Sequence, residues 1–331
     1  MFNVGKPASG RILVVRLGAM GDIIHTLPAV ASLKHSFPGW RLTWALEPKW
    51  APLLEDNPFI DNLLWFRRDG PTGWLESWRD LREHRYDFAV DFQGLIKSAL
   101  VASAARPARI FGYHHTQLRE RAAALFYSDK TESRSAHMVD RHLDLAASAG
   151  AATAVRAFPL PQGHPEGTLP RDFVLASPFA GWNAKQWPID YYSALAAMVR
   201  REWGVPLVLN GPPAALAVFA QTKDIAAHSS GIPGLIDATR RALAVIGVDS
   251  GPLHLAAALG KPGVAIFGPT DPARNGPYGD SMRVLRSAGA VTTYKRSTSI
   301  DESMTRISPD QVFEALRAVL GERRRAADCL I

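Results

Sequence analysis

Arg11-Ile-Leu-Val-Val-Arg-Leu-Gly-Ala-Met-Gly-Asp-Ile-Ile-His-Thr-Leu-Pro28 is the stretch that decides the fold. Residues 12–15 are an unbroken apolar run, the pattern of a strand buried on both faces. Gly18-Ala-Met-Gly21 follows as a glycine-rich turn, and apolar side chains from 23 to 33 recur at helical spacing. The two glycines allow the backbone to approach a ligand closely, with Asp22 at the mouth of the turn beside a helix N-terminus. Two readings of Asp22 stand at this point. It caps the helix, or it is a working carboxylate at the end of a strand, where open α/β sheets bind their ligands. The spacing is not Gly-x-Gly-x-x-Gly, so a dinucleotide fingerprint does not describe it.

The same strand-then-helix unit recurs along the chain. Strands are predicted over 41–46, 62–66 and 88–92, and helices near 50–57, over 76–84 and over 95–105. Arg67 and Arg68 end the second of these strands and lead into Gly70-Pro-Thr-Gly73, read as a loop. From 106 to 141 the chain is dense in cations, including Arg106, Arg109, Arg119, Arg121, Lys130, Arg134, His137 and Arg141. They form either a solvated basic face or a grip on an anionic acceptor.

Residues 161–171 are rich in Pro and Gly and are expected to link a first domain, residues 1–160, to a second, residues 172–308. The second series has predicted strands over 173–177, 206–209, at Leu235-Ile236, over 244–248 and over 263–267. Its helices are expected over 189–203, 214–228 and from 251 to 259. Pro309 opens a last helix with Ser308 as N-cap. Residues 309–331, with a basic tail from Arg323 to Arg325, are expected to pack back on the first domain. Repeated alternation of this kind defines an α/β protein with parallel sheets covered by helices.

A chain of 331 residues suits two such domains of roughly 150 residues. Its net charge of +7 points to an acidic partner: a nucleic acid, an anionic membrane surface or a phosphorylated substrate. Nucleic acid is disfavoured, since no dense Lys/Arg run with interleaved aromatics occurs. Cys329 is the single cysteine, which excludes an internal disulfide framework and fits a reducing cytoplasm. No apolar run reaches the ~18 residues of a membrane span, and Arg16 interrupts the first apolar run of the N-terminus, so no signal peptide is expected.

The richest chemistry lies in Val248-Asp-Ser-Gly-Pro-Leu-His254. A buried strand ends there in an acid, a hydroxyl and a glycine, and a helix begins at once. Backbone N–H groups at such a helix start suit phosphate oxygens. Ser250 can donate a hydroxyl, Gly251 permits close approach, and His254 lies one turn into the helix. His254 by itself reads equally as a structural histidine. Lys185, in Asn183-Ala-Lys-Gln-Trp-Pro188, is either a point charge for a diphosphate or a surface lysine. Thr270, in Gly268-Pro-Thr270, would lie at the same sheet edge. No metal-ligand spacing, Gly-x-Ser-x-Gly elbow or Gly-Lys-Ser/Thr phosphate loop is present, so no metal and no cofactor are expected.

Gly21-Asp-Ile-Ile-His-Thr-Leu-Pro28, Asp91-Phe-Gln-Gly-Leu-Ile-Lys-Ser98, Lys185-Gln-Trp-Pro188, Asp249-Ser-Gly-Pro-Leu-His254 and Phe267-Gly-Pro-Thr-Asp-Pro272 occur in one order. In that order they resemble the ADP-heptose:lipopolysaccharide heptosyltransferases, glycosyltransferase family 9, and the type I enzymes more than type II. The resemblance implies a GT-B fold, two Rossmann-like domains with parallel sheets facing a central cleft. It implies inverting, metal-independent transfer of L-glycero-D-manno-heptose from ADP-heptose to Kdo of Kdo-lipid A.

Residue by residue, it implies Asp22 as catalytic base and Lys185 as the diphosphate's lysine. Gly181, Lys185, Asp249, Ser250, Gly251, His254 and Thr270 would bind the donor. Gly21, Arg67, Arg68, Gln93, Lys97, Arg119 and His137 would bind the acceptor. A monomer acting peripherally at the cytoplasmic face of the inner membrane is the expected setting.

Two features depart from the family pattern. Ala214-Ala215-Leu216 stand where an acid near the ribose is usual, and Asp237-Ala-Thr-Arg-Arg241 leads almost directly into the strand before Asp249. A shortened donor domain is therefore expected. Transfer of heptose onto heptose, an epimerase that needs no acceptor, and a weakened nucleotide-sugar binding protein are the competing readings.

Overall fold

The computed structural model describes residues 9–219, 224–293 and 295–328. Cys329 and the side chains of Arg323 to Arg325 lie outside that description. The chain divides into two units between Pro161 and Gln162.

The first unit runs β1 (Arg11–Val15), α1 (Met20–Ser36), β2 (Arg41–Leu46), β3 (Asn62–Trp65), α2 (Gly70–Arg82), β4 (Phe88–Asp91), α3 (Ile96–Ala104), β5 (Arg109–Tyr113), β6 (Asp129–Thr131) and α4 (Met138–Ser148). Its sheet has the order β3-β2-β1-β4-β5-β6, every pair parallel. Ile12, Leu13, Val14 and Val15 are wholly buried, as the unbroken apolar run requires of a central parallel strand. Helix α1 is buried from Met20 to Leu33 apart from Asp22 and packs along α4.

The second unit runs β7 (Val174–Ser177), α5 (Ile189–Trp203), β8 (Leu207–Asn210), α6 (Pro213–Leu216), β9 (Ile225–His228), α7 (Ile232–Arg241), β10 (Ala244–Val248), α8 (Gly251–Ala258), β11 (Gly263–Phe267), α9 (Pro272–Asn275), β12 (Met282–Arg286), α10 (Glu302–Thr305) and α11 (Pro309–Asp328). Its sheet, β12-β11-β10-β7-β8-β9, is also parallel throughout. Numbered from its own first strand this is the order 3-2-1-4-5-6 of the first unit. Alternate residues feed two cores. Val174, Ala176, Leu207, Ile246 and Ile266 pack with α5 and α11 on one face. Leu175, Val208, Val245, Ala265 and Phe267 pack with α7 and α8 on the other.

Several expectations are corrected. Residues 70–73 are not a loop but the first turn of α2, with Pro71 supplying a helix-compatible φ and no surplus donor. The helix expected near 50–57 is a single 3₁₀ segment, Pro48–Leu53. The basic stretch from 106 to 141 contains β5 and β6. Residues 225–228 are the edge strand β9 and not a helix end, while Leu235 and Ile236 lie in α7.

The crossover that seemed missing before Asp249 is therefore present: residues 229–243, carrying α7, join β9 to β10. It meets the ~10–12 residues a parallel connection needs. The expected linker also carries structure, since Glu166 accepts from Gly231 N and Gly234 N at 2.6 and 3.1 Å and so caps α7. The C-terminal helix, expected to reach the first domain, buries Val312, Phe313, Ala315 and Leu316 in the core of the second unit. Ser308 and Gln311 open it with a reciprocal capping pair, at 3.2 and 2.9 Å.

Candidate active site

In a sheet of order 3-2-1-4-5-6 the connections leaving strands 1 and 4 turn to opposite faces, and a crevice opens between them at the carboxyl edge. The first unit has this switch point between β1 and β4. Arg16, the residue after β1, turns its guanidinium inward, where it is 7% exposed. Nη1 donates to Phe92 O at 2.7 Å, and Nη2 meets Asp22 Oδ2 at 2.6 Å. Leu17 N donates to Gln93 Oε1 at 2.8 Å. The two loops of the switch point are thus tied together by Arg16 and Gln93.

Asp22 is the third residue of α1, because that helix begins at Met20 and not near Ile23 as expected. Its Oδ2 also accepts from Ala19 N at 3.2 Å, which is the capping contact of the first reading. Among the described residues Oδ1 has no partner, and the side chain is 48% exposed. A half-exposed carboxylate with one anchored oxygen and one open oxygen is suited to accept a proton. Gly21 is buried in the same first turn.

The motif beginning at Asp91 builds the floor of this site. Wholly buried, Asp91 accepts from Tyr127 Oη at 2.7 Å, Ser98 Oγ at 2.8 Å, Gln93 N at 2.9 Å and Gly94 N at 3.2 Å. Burial pushes its carboxyl above the ordinary value, against the pull of those four donors. Gly94 has φ +70° and Leu118 Cδ2 would lie 2.5 Å from any Cβ there, so only glycine fits.

The expected acceptor residues divide. Arg68 and Lys97 converge on Glu47 Oε1 at 3.2 and 3.6 Å, and Lys49 reaches Oε2 at 3.3 Å. Burial works to raise the Glu47 carboxyl, but the lysines and Arg68 hold it below the ordinary value. Burial and the Arg68 charge lower Lys97. Glu47 N donates to Leu17 O at 3.0 Å, which keeps this three-cation cluster beside the loop after β1. Arg67 does not join it: Nη1 turns to Glu76 and Asp80 of α2, at 2.9 and 3.8 Å. Arg119 is exposed in a turn before the 3₁₀ segment Arg121–Phe126. His137 is the N-cap of α4, accepting from Val139 N at 3.1 Å, with its ring 5.4 Å from that of His25 on α1.

The second unit has its switch point between β7 and β10, and the expected donor residues gather there. Lys185 ends the 3₁₀ turn Asn183–Lys185 in the loop after β7. Its Nζ lies 2.8 Å from Asp249 Oδ2 and 4.7 Å from the centre of the Trp182 ring. Asp249 Oδ1 is 3.5 Å from His254 Nε2. Burial alone would raise the Asp249 carboxyl, but His254 and the Lys185 charge outweigh it and hold the group far below the ordinary range. Asp249 is thus an anion that orients a cation.

The helix start at Gly251 offers fewer donors than expected. Pro252 has no N–H, and Leu253 N and His254 N both turn back to Ser250 O. Among the described residues the Gly251 N–H is without a partner. The hydroxyls add to it. Ser250 Oγ, Thr270 Oγ1 and Ser177 Oγ are all buried and unpartnered among the described residues. Orphaned buried hydroxyls are uncommon and mark a site that another molecule completes. Ser177 was missed by sequence reasoning because a lone serine ending a strand carries no pattern. Arg16 was missed too, read only as a break in an apolar run. Gly181 lies in the loop before Lys185 with open space around it.

Two doubly wound parallel sheets, each with polar residues gathered at its own switch point, define an α/β protein of two Rossmann-like units. The model of glycosyltransferase family 9 (heptosyltransferase) matches residues 74–303, and the chain belongs to that family. Lipopolysaccharide heptosyltransferase 1 of Pseudomonas aeruginosa is 30% identical over 304 residues, covering 84% of each chain. The protein of the same name from Escherichia coli K12 is 26% identical over 311 residues, covering 84% of this chain and 93% of that one.

Among solved structures, E. coli heptosyltransferase WaaC with ADP superposes with a TM-score of 0.77 at 22% identity, over 93% of this chain and 99% of that one. E. coli ADP-heptose lps heptosyltransferase II gives 0.76 at 24% identity, over 95% and 99%. The fold is therefore the GT-B arrangement of two Rossmann-like domains that these enzymes share.

Proposed function

We propose that this chain transfers L-glycero-D-manno-heptose from ADP-heptose to Kdo of Kdo-lipid A, in lipopolysaccharide inner-core synthesis. The observation that carries the proposal is the complementary equipment of the two switch points. One holds a carboxylate with an open oxygen beside a cluster of cations. The other holds a half-buried lysine, a free N–H and three orphaned hydroxyls.

In the reaction, Asp22 Oδ1 takes the proton of the acceptor hydroxyl as its oxygen bonds to the anomeric carbon. The bond from that carbon to the diphosphate oxygen breaks, ADP departs, and the anomeric centre is inverted. Lys185 and the Gly251 N–H meet the charge that grows on the diphosphate, while Asp249 keeps Lys185 aimed. Ser250, Thr270 and His254 complete the donor's polar surroundings. Arg68 and Lys97, together with Gln93 and His137, serve an acceptor that is itself phosphorylated and carboxylated.

No step of the proposed transfer calls for a metal. Turnover in EDTA is the expected outcome. The protein acts as a monomer, in the cytoplasm, at the inner face of the membrane that carries its acceptor.

The test is incubation with ADP-heptose and Kdo-lipid A, followed by mass spectrometry of the lipid. One added heptose supports the reading. Product only on an acceptor that already bears heptose replaces it with the heptose-to-heptose reaction. Consumption of ADP-heptose without any acceptor points to an epimerase.

A further inference from the structure

Helix α2 is built inside out. Its buried positions are Gly73, Ser77 and Leu81, spaced by four residues along one narrow stripe. Its large side chains face outward: Trp74 is 47% exposed, Leu75 68% and Trp78 41%. A helix that merely covers a sheet places its bulky apolar residues inward. At 100° per residue, Trp74, Trp78, Arg82, Leu75 and Arg79 occupy one continuous outer face, and Glu76 and Asp80 fall on the opposite flank.

Arg67 engages those two acids, so the outer face keeps only its positive charges. The Arg82 guanidinium lies 4.4 Å over the Trp78 ring, holding a cation beside an exposed aromatic. The neighbouring helix α3, packed on α2, exposes Ile96 and Leu100. Leu125, in the 3₁₀ segment Arg121–Phe126 that packs on α3, is 84% exposed.

We propose that this face of α2 is the surface by which the chain docks on an anionic lipid bilayer. Tryptophan beside arginine, with leucine between, is the composition that settles at the boundary between headgroups and acyl chains. The two arginines match the negative surface potential, and the exposed C-cap Glu83 borders the face beside Arg79. No described helix is long and apolar enough to cross a membrane. The inference rests on the proposed function only for its purpose, since it explains how a water-soluble fold would stay beside a lipid acceptor.

The test is flotation of the full chain with vesicles of phosphatidylcholine, or of phosphatidylcholine with an equal share of phosphatidylglycerol. The wild type is expected to float with the mixed vesicles only, with its tryptophan emission shifted to the blue. Leu75→Ser with Trp78→Ser should weaken binding by about tenfold or more. Arg79→Gln with Arg82→Gln should weaken it about thirtyfold, an effect that added salt imposes on the wild type as well.

Thermal melts followed by circular dichroism confirm that each variant is folded. Transfer onto detergent-dispersed acceptor should remain at the wild-type rate. Vesicle binding that survives the Leu75/Trp78 pair overturns the proposal. So does a wild type that ignores anionic vesicles and instead forms a concentration-dependent dimer broken by the same pair. A wild type that floats but transfers no heptose would sink the assigned reaction and leave the docking surface standing.

Discussion

The guanidinium of Arg16 binds Asp22 through one carboxylate oxygen only, at 2.6 Å, and spends its other terminal nitrogen on the carbonyl of Phe92, at 2.7 Å. The arrangement fixes the carboxylate against the loop that follows β4 and leaves its second oxygen open.

Asp22→Asn keeps an oxygen for Arg16 and Ala19 N while deleting the base. The expected result is a fall in kcat of about 10²–10⁴-fold with ADP binding unchanged. Single-turnover transfer and calorimetric titration of ADP measure the two quantities separately. A variant that turns over normally removes Asp22 from the mechanism.

Arg16→Met should lower kcat without altering ADP affinity, since it frees the carboxylate it positions and touches nothing in the second unit's site. It also leaves the buried Phe92 carbonyl without its donor, which costs about 1–3 kcal/mol. Urea denaturation reads that cost. Arg16→Lys should recover little of the activity, because one ammonium cannot imitate a planar fork spanning two acceptors.

Lys185→Ala and Asp249→Asn should each weaken ADP binding, and the double variant should be no weaker than the worse of the two. Residues in one charge pair are coupled in this way, whereas independent contacts add. Titration of ADP into the three variants decides between them. Additive losses would mean that Asp249 contacts the donor on its own account.

His142 gives the protein a distinct acid response. Burial, with the charges of Arg16 and Arg141, holds its imidazole well below the ordinary histidine value of about 6.5. Tyr113 Oη fixes the ring at 2.5 Å from Nδ1. The unfolded chain therefore takes up a proton that the folded protein refuses. Stability is full above 6.5 and declines as pH falls below it, by up to about 1.4 kcal/mol per pH unit. The lowered Asp249 carboxyl adds a further loss only below the ordinary carboxylate range. Urea midpoints measured from pH 7.5 to 5 should show the slope in the wild type and not in His142→Gln.

The sequence was most legible where burial is complete. Residues 244–248, 263–267 and 189–203 form the elements their patterns predict, with the same boundaries. Edge elements escaped. β9 reads Ile-Ala-Ala-His, a helix-forming composition held as a strand only by its pairing to β8. β6 is Asp-Lys-Thr, polar because one side of it is open. β5 was hidden by the arginines around it and by Gly112, which is needed because the Tyr127 ring would lie 2.3 Å from any Cβ there.

In the candidate site, residues that point at a ligand stood in recognisable strings. The residues that aim them did not. Arg16 and Glu47 acquire meaning only from partners far along the chain, and Ser177 only from its place at the end of β7. Arg67, expected at the acceptor, pairs with Glu76 and Asp80 of α2, a helix whose Gly-Pro-Thr-Gly start reads as a loop.

The recurrence of one strand order in both units has a consequence for how such a chain can change. Each unit carries its own cluster of polar residues at its own switch point, the first between β1 and β4 and the second between β7 and β10. Preference for an acceptor can therefore drift while the nucleotide half is inherited intact, and the reverse holds equally. Exchanging residues 1–161 for those of a relative with a different acceptor should transplant acceptor choice and leave nucleotide preference as it was.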